Sequence, residues 1–311
     1  MRKCRATGYG LVEIIYCNIH IWSPSPTPRY AKCVGAPPDL DAFRRSCLQA
    51  QWTCIVLAGQ RPGTDMFAQY FGLKLKALVP VCGEPMISHV VRTLRASPLI
   101  GEIIVLCQEP DALRPAVDAA GGATLVESLS SISLSIKRQV VALGFSSPIL
   151  VTTADHPLLT IDMIAEFLGK AEGDVAIAMV ERKTMLAQFP DAKRTWLRFS
   201  DGAWSGANLF ALMSLKSAFA LDLWAEAEQD RKKAWRLFMH FGVRLALRAL
   251  TRTIGLRQAL TIAGKRLGLV ATLVPMSDPV AAIDVDKVGD HILAEHILID
   301  RETVAGSHLA A

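Results

Sequence analysis

From residue 54 onward, short apolar segments alternate with segments in which apolar residues recur at helical spacing. Short apolar runs bounded by turn signals are typical of buried strands, and a 3.6-residue period is typical of amphipathic helices. Strand–helix units in series join parallel strands by right-handed crossovers, so helices cover both faces of one sheet. The order predicts a three-layer α/β fold with a mostly parallel, Rossmann-like sheet. The predicted strands are residues 54–57, 102–107, 123–126, 148–153 and 174–180, and the predicted helices are residues 86–96, 112–119, 131–143 and 161–170.

The pattern changes after residue 180, which predicts a small antiparallel insertion and a helical stretch at about 190–267. Prolines repeated between residues 24 and 38 block regular structure, so residues 1–50 are expected to form a loosely ordered extension to a domain at 51–311. The elements expected after residue 180 are strands at 196–199 and 205–212 around a turn at 200–202, a helical stretch at about 215–267, a strand at 268–274 and a helix to about residue 298.

Composition narrows the class of protein. The net charge of +5 over 311 residues is mild, so the chain as a whole is not expected to bind nucleic acid. Seven cysteines, an odd number, argue against a disulfide framework. No segment is long and apolar enough to span a bilayer, and Glu13, Asn18 and His20 interrupt the stretch that a secretory signal would keep apolar. These features predict a cytoplasmic location.

A loop containing Gly59, Pro62 and Gly63 follows the first predicted strand, and Lys74 and Lys76 come after it. Backbone N–H groups approach phosphate oxygens where side chains are small, and nearby cations balance the phosphate charge. Neither G-x-x-x-x-G-K-[ST] nor G-x-G-x-x-G is found here, so the ATPase and dinucleotide fingerprints are absent from this segment. The loop therefore predicts a triphosphate site of another kind.

Four motifs in order resemble those of the MobA-like nucleotidyltransferases, which are relatives of molybdenum-cofactor guanylyltransferase and of sugar-phosphate and alditol-phosphate nucleotidylyltransferases. The motifs cover about residues 54–298. They are Leu57-Ala58-Gly59 with Lys76-Ala77-Leu78 and Gly83-Glu84-Pro85-Met86; Thr153-Ala154-Asp155-His156-Pro157-Leu158-Leu159; Ser205-Gly206-Ala207-Asn208-Leu209-Phe210; and Ile283-Asp284-Val285-Asp286. The resemblance implies a nucleotide-diphospho-sugar transferase fold, Mg²⁺ as cofactor, and transfer of NMP from an NTP, with CTP or GTP favoured, to a phosphorylated small-molecule acceptor with release of pyrophosphate.

The resemblance also implies a set of nucleotide-binding residues. They are Leu57, Ala58, Gly59, Gln60, Gly63, Lys76, Ser130 and Ser131. Lys76 is expected to act catalytically by stabilising the charge that grows on the leaving pyrophosphate, with help from Arg61. Gln60 replaces the second glycine of the family's L-A-G-G motif, and Arg61 is the only nearby substitute for the arginine usual at the loop's end. The alternatives are that Lys74 and Lys76 are surface lysines and that the serines cap a helix.

Asp155 and Asp286 are the predicted metal ligands, with Asp284 as the alternate. Nucleotidyl transfer brings two anions together, and Mg²⁺ bridges their oxygens while one or two protein carboxylates hold the ion. Asp155 follows a predicted strand and is also assigned a catalytic role. The alternatives are an Asx turn at Asp155 before Pro157, and a solvated acidic pair at 284–286 ahead of a helix.

The predicted acceptor-binding residues are Gly206, Asn208, Arg194 and Arg198. Asparagine is disfavoured in strands, so its presence in a predicted strand requires a reason; a bulge is the alternative. The two arginines are expected to pair with an anionic group of the acceptor. His156 receives no role, because a phosphate nucleophile is already ionised at neutral pH and needs no general base.

Cations recur every four residues between Arg236 and Arg252, through an apolar sequence. The stripe consists of Arg236, His240, Arg244, Arg248 and Arg252. This is the pattern of a basic amphipathic helix. Three interpretations remain open: an exposed face of a packed helix, contact with an anionic membrane at its inner face, and a basic lid over an anionic substrate.

Three functions fit the sequence. The first is an Mg²⁺-dependent nucleotidyltransferase. The second is a nucleotide-sugar-dependent glycosyltransferase that uses Asp284-Val285-Asp286 as a D-x-D motif, although this leaves Lys76 unexplained. The third is a catalytically idle nucleotide-binding regulatory protein, suggested by Gln60 and the missing arginine.

Overall fold

The computed structural model describes residues 51–60, 63–129, 131–144, 146–229 and 242–309. The predicted extension at 1–50 lies outside the described residues.

Ten strands and ten α-helices are defined within the described residues. In chain order they are β1 (Trp52–Leu57), α1 (Met66–Tyr70), β2 (Pro80–Val81), β3 (Glu84–Pro85), α2 (Met86–Ala96), β4 (Ile100–Cys107), α3 (Pro110–Ala119), β5 (Thr124–Glu127), α4 (Ile132–Leu143), β6 (Ile149–Thr153), α5 (Ile161–Lys170), β7 (Val175–Glu181), α6 (Arg182–Gln188), β8 (Leu197–Phe199), β9 (Gly202–Leu212), α7 (Ser217–Gln229), α8 (Val243–Leu250), α9 (Leu256–Leu267), β10 (Ala271–Pro275) and α10 (Val288–Leu309). Two 3₁₀ helices lie at Lys76–Leu78 and Pro279–Ala282.

One large sheet organises the described residues, and its strands follow the order β10-β7-β9-β6-β1-β4-β5, with β8 paired to β9. The pairs of β1 with β4 and β6, of β4 with β5, and of β7 with β10 are all parallel. Strand β9 runs antiparallel between β6 and β7. A second, two-stranded antiparallel sheet joins β2 to β3. The predicted fold class is therefore confirmed.

The core has two faces because alternate side chains of β1 point to opposite sides of the sheet. Cys54 and Val56 pack in the cluster that includes side chains of α2, α3 and α5. Ile55 packs in a second cluster with Ile136 of α4 and Leu221 of α7. All three β1 residues are fully buried, as expected for a central strand covered by helices on both faces.

Predicted and observed boundaries agree closely in the first half of the domain. Helices α2 and α5 have the predicted limits, and strands β4 to β7 differ from prediction by at most two residues. The predicted helical stretch at 215–267 is wrong as a continuous element, because α8 ends at Leu250 and α9 begins at Leu256. Arg252 adopts a left-handed conformation (φ 54°) in that break. The last strand starts at Ala271, not at residue 268, because Gly268 ends α9 in the left-handed region.

Within the described residues, no helix is both long and apolar enough to cross a membrane.

Candidate active site

The site lies where two neighbouring parallel strands end. The N–H of Ala154 donates to the carbonyl of Leu57, and the N–H of Ala58 donates to that of Leu106, so the strand pairing continues one residue beyond β6 and β1. The next residues are Gly59, which is exposed, and Asp155. Ligands of such sheets bind at the carboxyl ends of the strands, which is the edge that these two residues occupy.

The segment from Ile283 to Asp286 lies beside Asp155. The Val285 N–H donates a 2.8 Å hydrogen bond to the Asp155 carbonyl. Ile283 and Val285 are fully buried, whereas the side chains of Asp284 and Asp286 are 27% and 62% exposed. Alternation along this extended segment places both carboxylates on the same side, toward Asp155.

Three carboxylates therefore form one group, which we call the carboxylate cluster: Asp155, Asp284 and Asp286. One oxygen from each lies within 4.8 Å of the others. Asp155 Oδ1 is buried without a hydrogen-bond partner among the described residues. Closely spaced hard oxygen donors with a spare buried acceptor suit Mg²⁺, so the predicted metal ligands fit that ion.

Lys76 neutralises part of this cluster. Its Nζ lies 2.6 Å from Asp155 Oδ2 and also contacts Asp286 Oδ1. Burial by itself lowers the pKa of Lys76, but the adjacent carboxylates of Asp155 and Asp286 outweigh burial and hold that pKa above its ordinary value. Lys76 is thus a fixed cation at the strand ends, and it is not one of two surface lysines. Lys74 is the exposed one, 75% accessible and paired with Glu109 at 2.5 Å.

Arg194 and Asn208 both hold Asp284. The Arg194 guanidinium Nη1 lies 2.6 Å from Asp284 Oδ1, and Asn208 Nδ2 donates to Oδ2 at 3.3 Å. Arg194 is 10% exposed and its Nη2 lies 4.0 Å from Asp290 Oδ1. Burial, followed by the charges of Asp286 and Asp155, raises the pKa of Asp284, while Arg194 opposes that rise. Arg194 lies at the predicted site, but its guanidinium binds a carboxylate of the protein.

Asn208 owes its orientation to a bulge in β9. Ile177 pairs with Phe210 and Met179 pairs with Gly206, so three residues of β9 lie opposite one of β7. Asn208 is at the centre of the bulge with φ 51°, a left-handed conformation that asparagine tolerates better than most residues. The bulge alternative is therefore realised, and the bulge directs the carboxamide to Asp284, whereas acceptor binding by Asn208 stays a prediction.

The segment between Gly59 and Lys76, which contains α1, is held together at its two ends by Gln60. Its Nε2 donates to the Lys74 carbonyl at 3.0 Å, and its Oε1 accepts from the Lys76 N–H at 3.3 Å. Gln108, immediately after β4, exchanges two hydrogen bonds of 3.1 and 2.8 Å with the Gln60 backbone. A Cβ at Gly59 would meet the Gln108 side chain at 3.2 Å, so the close approach favours glycine. Gln60 thus joins the two ends of the loop and fixes the backbone of Lys76.

The other predicted nucleotide-binding and acceptor-binding residues lie in several different parts of the fold. Leu57 and Ala58 line the end of β1, Gly63 is exposed with φ 106°, and Gly206 is exposed on β9. Ser131 is the N-cap of α4, accepting from the Leu134 N–H, so the capping alternative is realised there.

Arg198 lies exposed on the β8 edge, and among the described residues it makes no hydrogen bond or ion pair with the carboxylate cluster. Arg61 and Ser130 lie outside the described residues.

Sequence reasoning missed Gln108 and Asp290. Gln108 is the first polar residue after β4, so the rule that ligands gather at strand carboxyl ends would have pointed to it. Asp290 is buried in the first turn of α10, where it accepts from the Asp286 N–H at 3.4 Å. An acid in a first helical turn is common, so its sequence signal is weak.

His156 adjoins Asp155 but points away from solvent. Its side chain is 1% exposed, and burial lowers the pKa of the imidazole to about 4. The negative charge of Asp155 raises this pKa and so offsets only part of the effect of burial. The imidazole is therefore neutral at pH 7 and not accessible to substrate.

The family described as MobA-like NTP transferase domain matches residues 54–264. A 3-deoxy-manno-octulosonate cytidylyltransferase of Geotalea daltonii is 30% identical over 172 residues, 54% of this chain and 67% of that protein. One from Geobacter metallireducens is 28% identical over 117 residues, 37% of this chain and 46% of that protein. A structure described as a hypothetical transferase from Thermus thermophilus has a TM-score of 0.65 at 28% identity, covering 78% of this chain and 99% of that one.

Proposed function

Because this chain belongs to the MobA-like NTP transferase family and is thereby a nucleotidyltransferase, we propose that it transfers CMP from CTP to a phosphorylated small-molecule acceptor with Mg²⁺ as cofactor. The family match covers residues 54–264, which is most of the described domain. The names of the two curated relatives, both cytidylyltransferases, support CTP over GTP.

The observation that carries the proposal is the meeting of Lys76 with the carboxylate cluster at the end of the sheet. Lys76, Asp155 and Asp286 come from three distant parts of the chain, yet the Lys76 ammonium contacts both carboxylates. Such a group of fixed charges suits a reaction in which a triphosphate and a second anion must approach each other.

Each residue has a definite task in this reaction. Asp155, Asp284 and Asp286 would hold Mg²⁺, which when bound screens the phosphate charges and favours departure of pyrophosphate. Lys76 provides a fixed positive charge for the leaving group. Gln60 keeps the Lys76 backbone against the start of the loop, and Gly59 lets phosphate oxygens approach backbone N–H groups.

The acceptor is proposed to be a phosphate because the described site offers no evident general base. Each member of the carboxylate cluster already contacts a cation: Asp155 and Asp286 contact Lys76, and Asp284 contacts Arg194. His156 is buried. A phosphate monoester is ionised at neutral pH and attacks without losing a proton to the protein, so it suits a site of this composition.

A second candidate is transfer to the hydroxyl group of a sugar acid. The names of the curated relatives favour it, since 3-deoxy-manno-octulosonate is a sugar acid. The dependence of the rate on pH distinguishes the two acceptors. A hydroxyl nucleophile must lose a proton, so its reaction rate should rise with pH over the neutral range. The rate with a phosphate nucleophile should change little over the same range.

The D-x-D glycosyltransferase and the idle nucleotide-binding protein are less well supported. The first gives Lys76 no task, and family membership favours nucleotidyl transfer. The second is suggested by Gln60 and by the missing arginine. The structure incorporates Gln60 into the loop through hydrogen bonds at both ends, and Arg61 lies outside the described residues.

The test is pyrophosphate release with each of the four NTPs, Mg²⁺ and a panel of polyol phosphates, sugar phosphates and sugar acids. We expect release with CTP and one phosphorylated acceptor, and none after EDTA. Release only with a sugar acid would favour the second candidate. Nucleotide binding with no release for any acceptor would overturn both.

A further inference from the structure

Helix α8 presents an apolar strip to solvent. Val243, Leu247 and Leu250 follow one another at helical spacing and are 61%, 57% and 79% exposed. Leu245, on the opposite side of the helix, is buried. A packed surface helix normally buries its apolar face, and here one aliphatic residue is buried while three are exposed. The strip is therefore not needed for packing of the described domain.

Cations flank this strip. At 100° per residue, Arg244 and Arg248 lie on the side of α8 next to Leu247, and both are exposed. Arg248 also donates to the Thr253 carbonyl and to Gln258 Oε1, each at 3.3 Å, so it stabilises the turn after α8. Within the part of the chain that the structure describes, the side chains of Arg244 and Arg252 make no hydrogen bond or ion pair. Arg236 and His240, the start of the predicted stripe, lie outside the described residues.

The surrounding sequence makes this region strongly basic. Ten lysine and arginine residues and no aspartate or glutamate lie between Asp230 and Asp278, whereas the whole chain carries a net charge of only +5. Arg266 of α9 adds positive charge at the N-terminal end of α8. Its guanidinium lies so close to Gly242 that a Cβ added at Gly242 would be 2.5 Å from Arg266 Nη1. The positive charge is therefore local in the sequence, and among the described residues Arg244, Arg248 and Arg266 place part of it at helix α8, which carries the exposed aliphatic strip.

We propose that α8 binds an anionic phospholipid surface, with Val243, Leu247 and Leu250 entering the boundary of the acyl region and the arginines contacting lipid phosphates. This combination of exposed aliphatic and basic side chains on one short helix matches how amphipathic helices lie in a membrane interface. A nucleic acid would complement the charge but gives aliphatic side chains no partner. A second copy of the chain would cover the aliphatic strip but would bring like charges together. The inference is independent of the reaction that the site catalyses.

The test is cosedimentation of the full chain with vesicles of phosphatidylcholine alone and with added phosphatidylglycerol. We expect binding only to the anionic vesicles, weakening as salt shortens the Debye length. Arg244→Gln with Arg252→Gln should weaken binding by about fivefold per arginine. Arg248 is left in place because of its contacts in the turn. Leu247→Asn with Leu250→Asn should abolish binding at all salt concentrations.

The matched control is Arg114→Gln with Lys183→Gln, which changes the net charge equally at exposed cations elsewhere. This control should bind as the wild type does, and all variants should keep the wild-type melting temperature because the altered side chains are exposed. The proposal is overturned if the wild type ignores anionic vesicles, if the control weakens binding as much as the α8 arginine variant, or if the leucine variant binds normally. It is also overturned if sedimentation shows a dimer that the leucine variant loses, or if single-stranded RNA, and not vesicles, binds in an α8-dependent way.

Discussion

The Nζ atom of Lys76 lies 2.6 Å from Oδ2 of Asp155, although 79 residues separate them. Lys76 starts a 3₁₀ helix after the loop that follows β1, and Asp155 follows β6, the parallel neighbour of β1. The pairing of these two strands places Asp155 beside the end of β1, and the segment that includes α1 returns to that end, where the Gln60 side chain holds the Lys76 backbone. Because both side chains are mostly buried, their interaction is screened less than that of a surface pair.

Replacing Asp155 by asparagine should lower turnover by about a hundredfold or more, because the change keeps the shape of the side chain and removes the charge that faces Lys76 and the metal. Pyrophosphate release measures turnover, and thermal unfolding should show a fold like that of the wild type. Asp162→Asn, an acid-to-amide change in the first turn of α5, is the control. Wild-type turnover in Asp155→Asn would rule out Asp155 as a ligand.

Replacing Gln60 by leucine should raise the KM for the nucleotide by about tenfold, because the loop loses two side-chain hydrogen bonds near Lys76. Gln60→Gly, which restores the glycine of the family motif, also removes them and should give a similar rise. Gln69→Leu, an exposed substitution in α1, should leave the KM unchanged. Normal KM values in both Gln60 variants would mean that the loop holds its shape without this side chain.

Two substitutions at Asn208 separate backbone strain from the contact with Asp284. Asn208→Gly keeps the left-handed conformation, whereas Asn208→Ala places a Cβ in it and should lower the free energy of unfolding by about 1 kcal/mol. Both remove the hydrogen bond to Asp284, so both should lower turnover by a similar factor. Denaturant unfolding and pyrophosphate release measure the two effects. If only Asn208→Ala is impaired in turnover, the carboxamide has no role in the site.

Stability should fall as the pH drops below neutral because of His156. Its pKa is about 4 in the folded protein against an ordinary 6.5, so between these values the unfolded chain binds a proton that the folded chain does not. Stability from this residue is complete above pH 6.5 and is lost progressively toward pH 4. Between pH 7 and 5 the loss should be about 2 kcal/mol.

Urea unfolding at both pH values tests this loss. His156→Leu should lose that much less stability than the wild type over the interval, and the exposed His296→Leu should behave as the wild type does. Equal pH dependence in all three proteins would show that His156 is already protonated or solvated in the folded state.

A chain that starts at Gln51 should keep its melting temperature and its activity. Strand β1 begins at Trp52, and its two neighbours in the sheet, β4 and β6, are both formed by described residues. A fall in melting temperature of more than a few degrees, or lost turnover, would show that residues 1–50 pack on the domain.

The parallel half of the fold was predictable because its periodicity is local. Each apolar run of β1, β4 and β6 is buried on both faces, and each intervening helix carries one apolar face. The sequence pattern alone therefore indicates a sheet with helices on both sides. The position of β9 was not predictable. Strand β9 pairs with β6 and β7, which both precede it in the sequence and are separated from it by other elements. The residues of β9 carry no local pattern that indicates these two partners.

The sequence by itself identified Lys76, Asp155, Asp284, Asp286 and Asn208 as candidates, because charged and amide side chains at strand ends and in family motifs stand out locally. Only the tertiary structure decided what Arg194 and Gln60 contact. An arginine's partner is set by whichever carboxylate the fold brings within reach, and here that is Asp284, 90 residues away. Gln60 likewise gains its partner Lys76 only when the loop closes on itself. Local pattern thus determined which groups are present, and the packing of distant segments decided how their charges and hydrogen bonds pair.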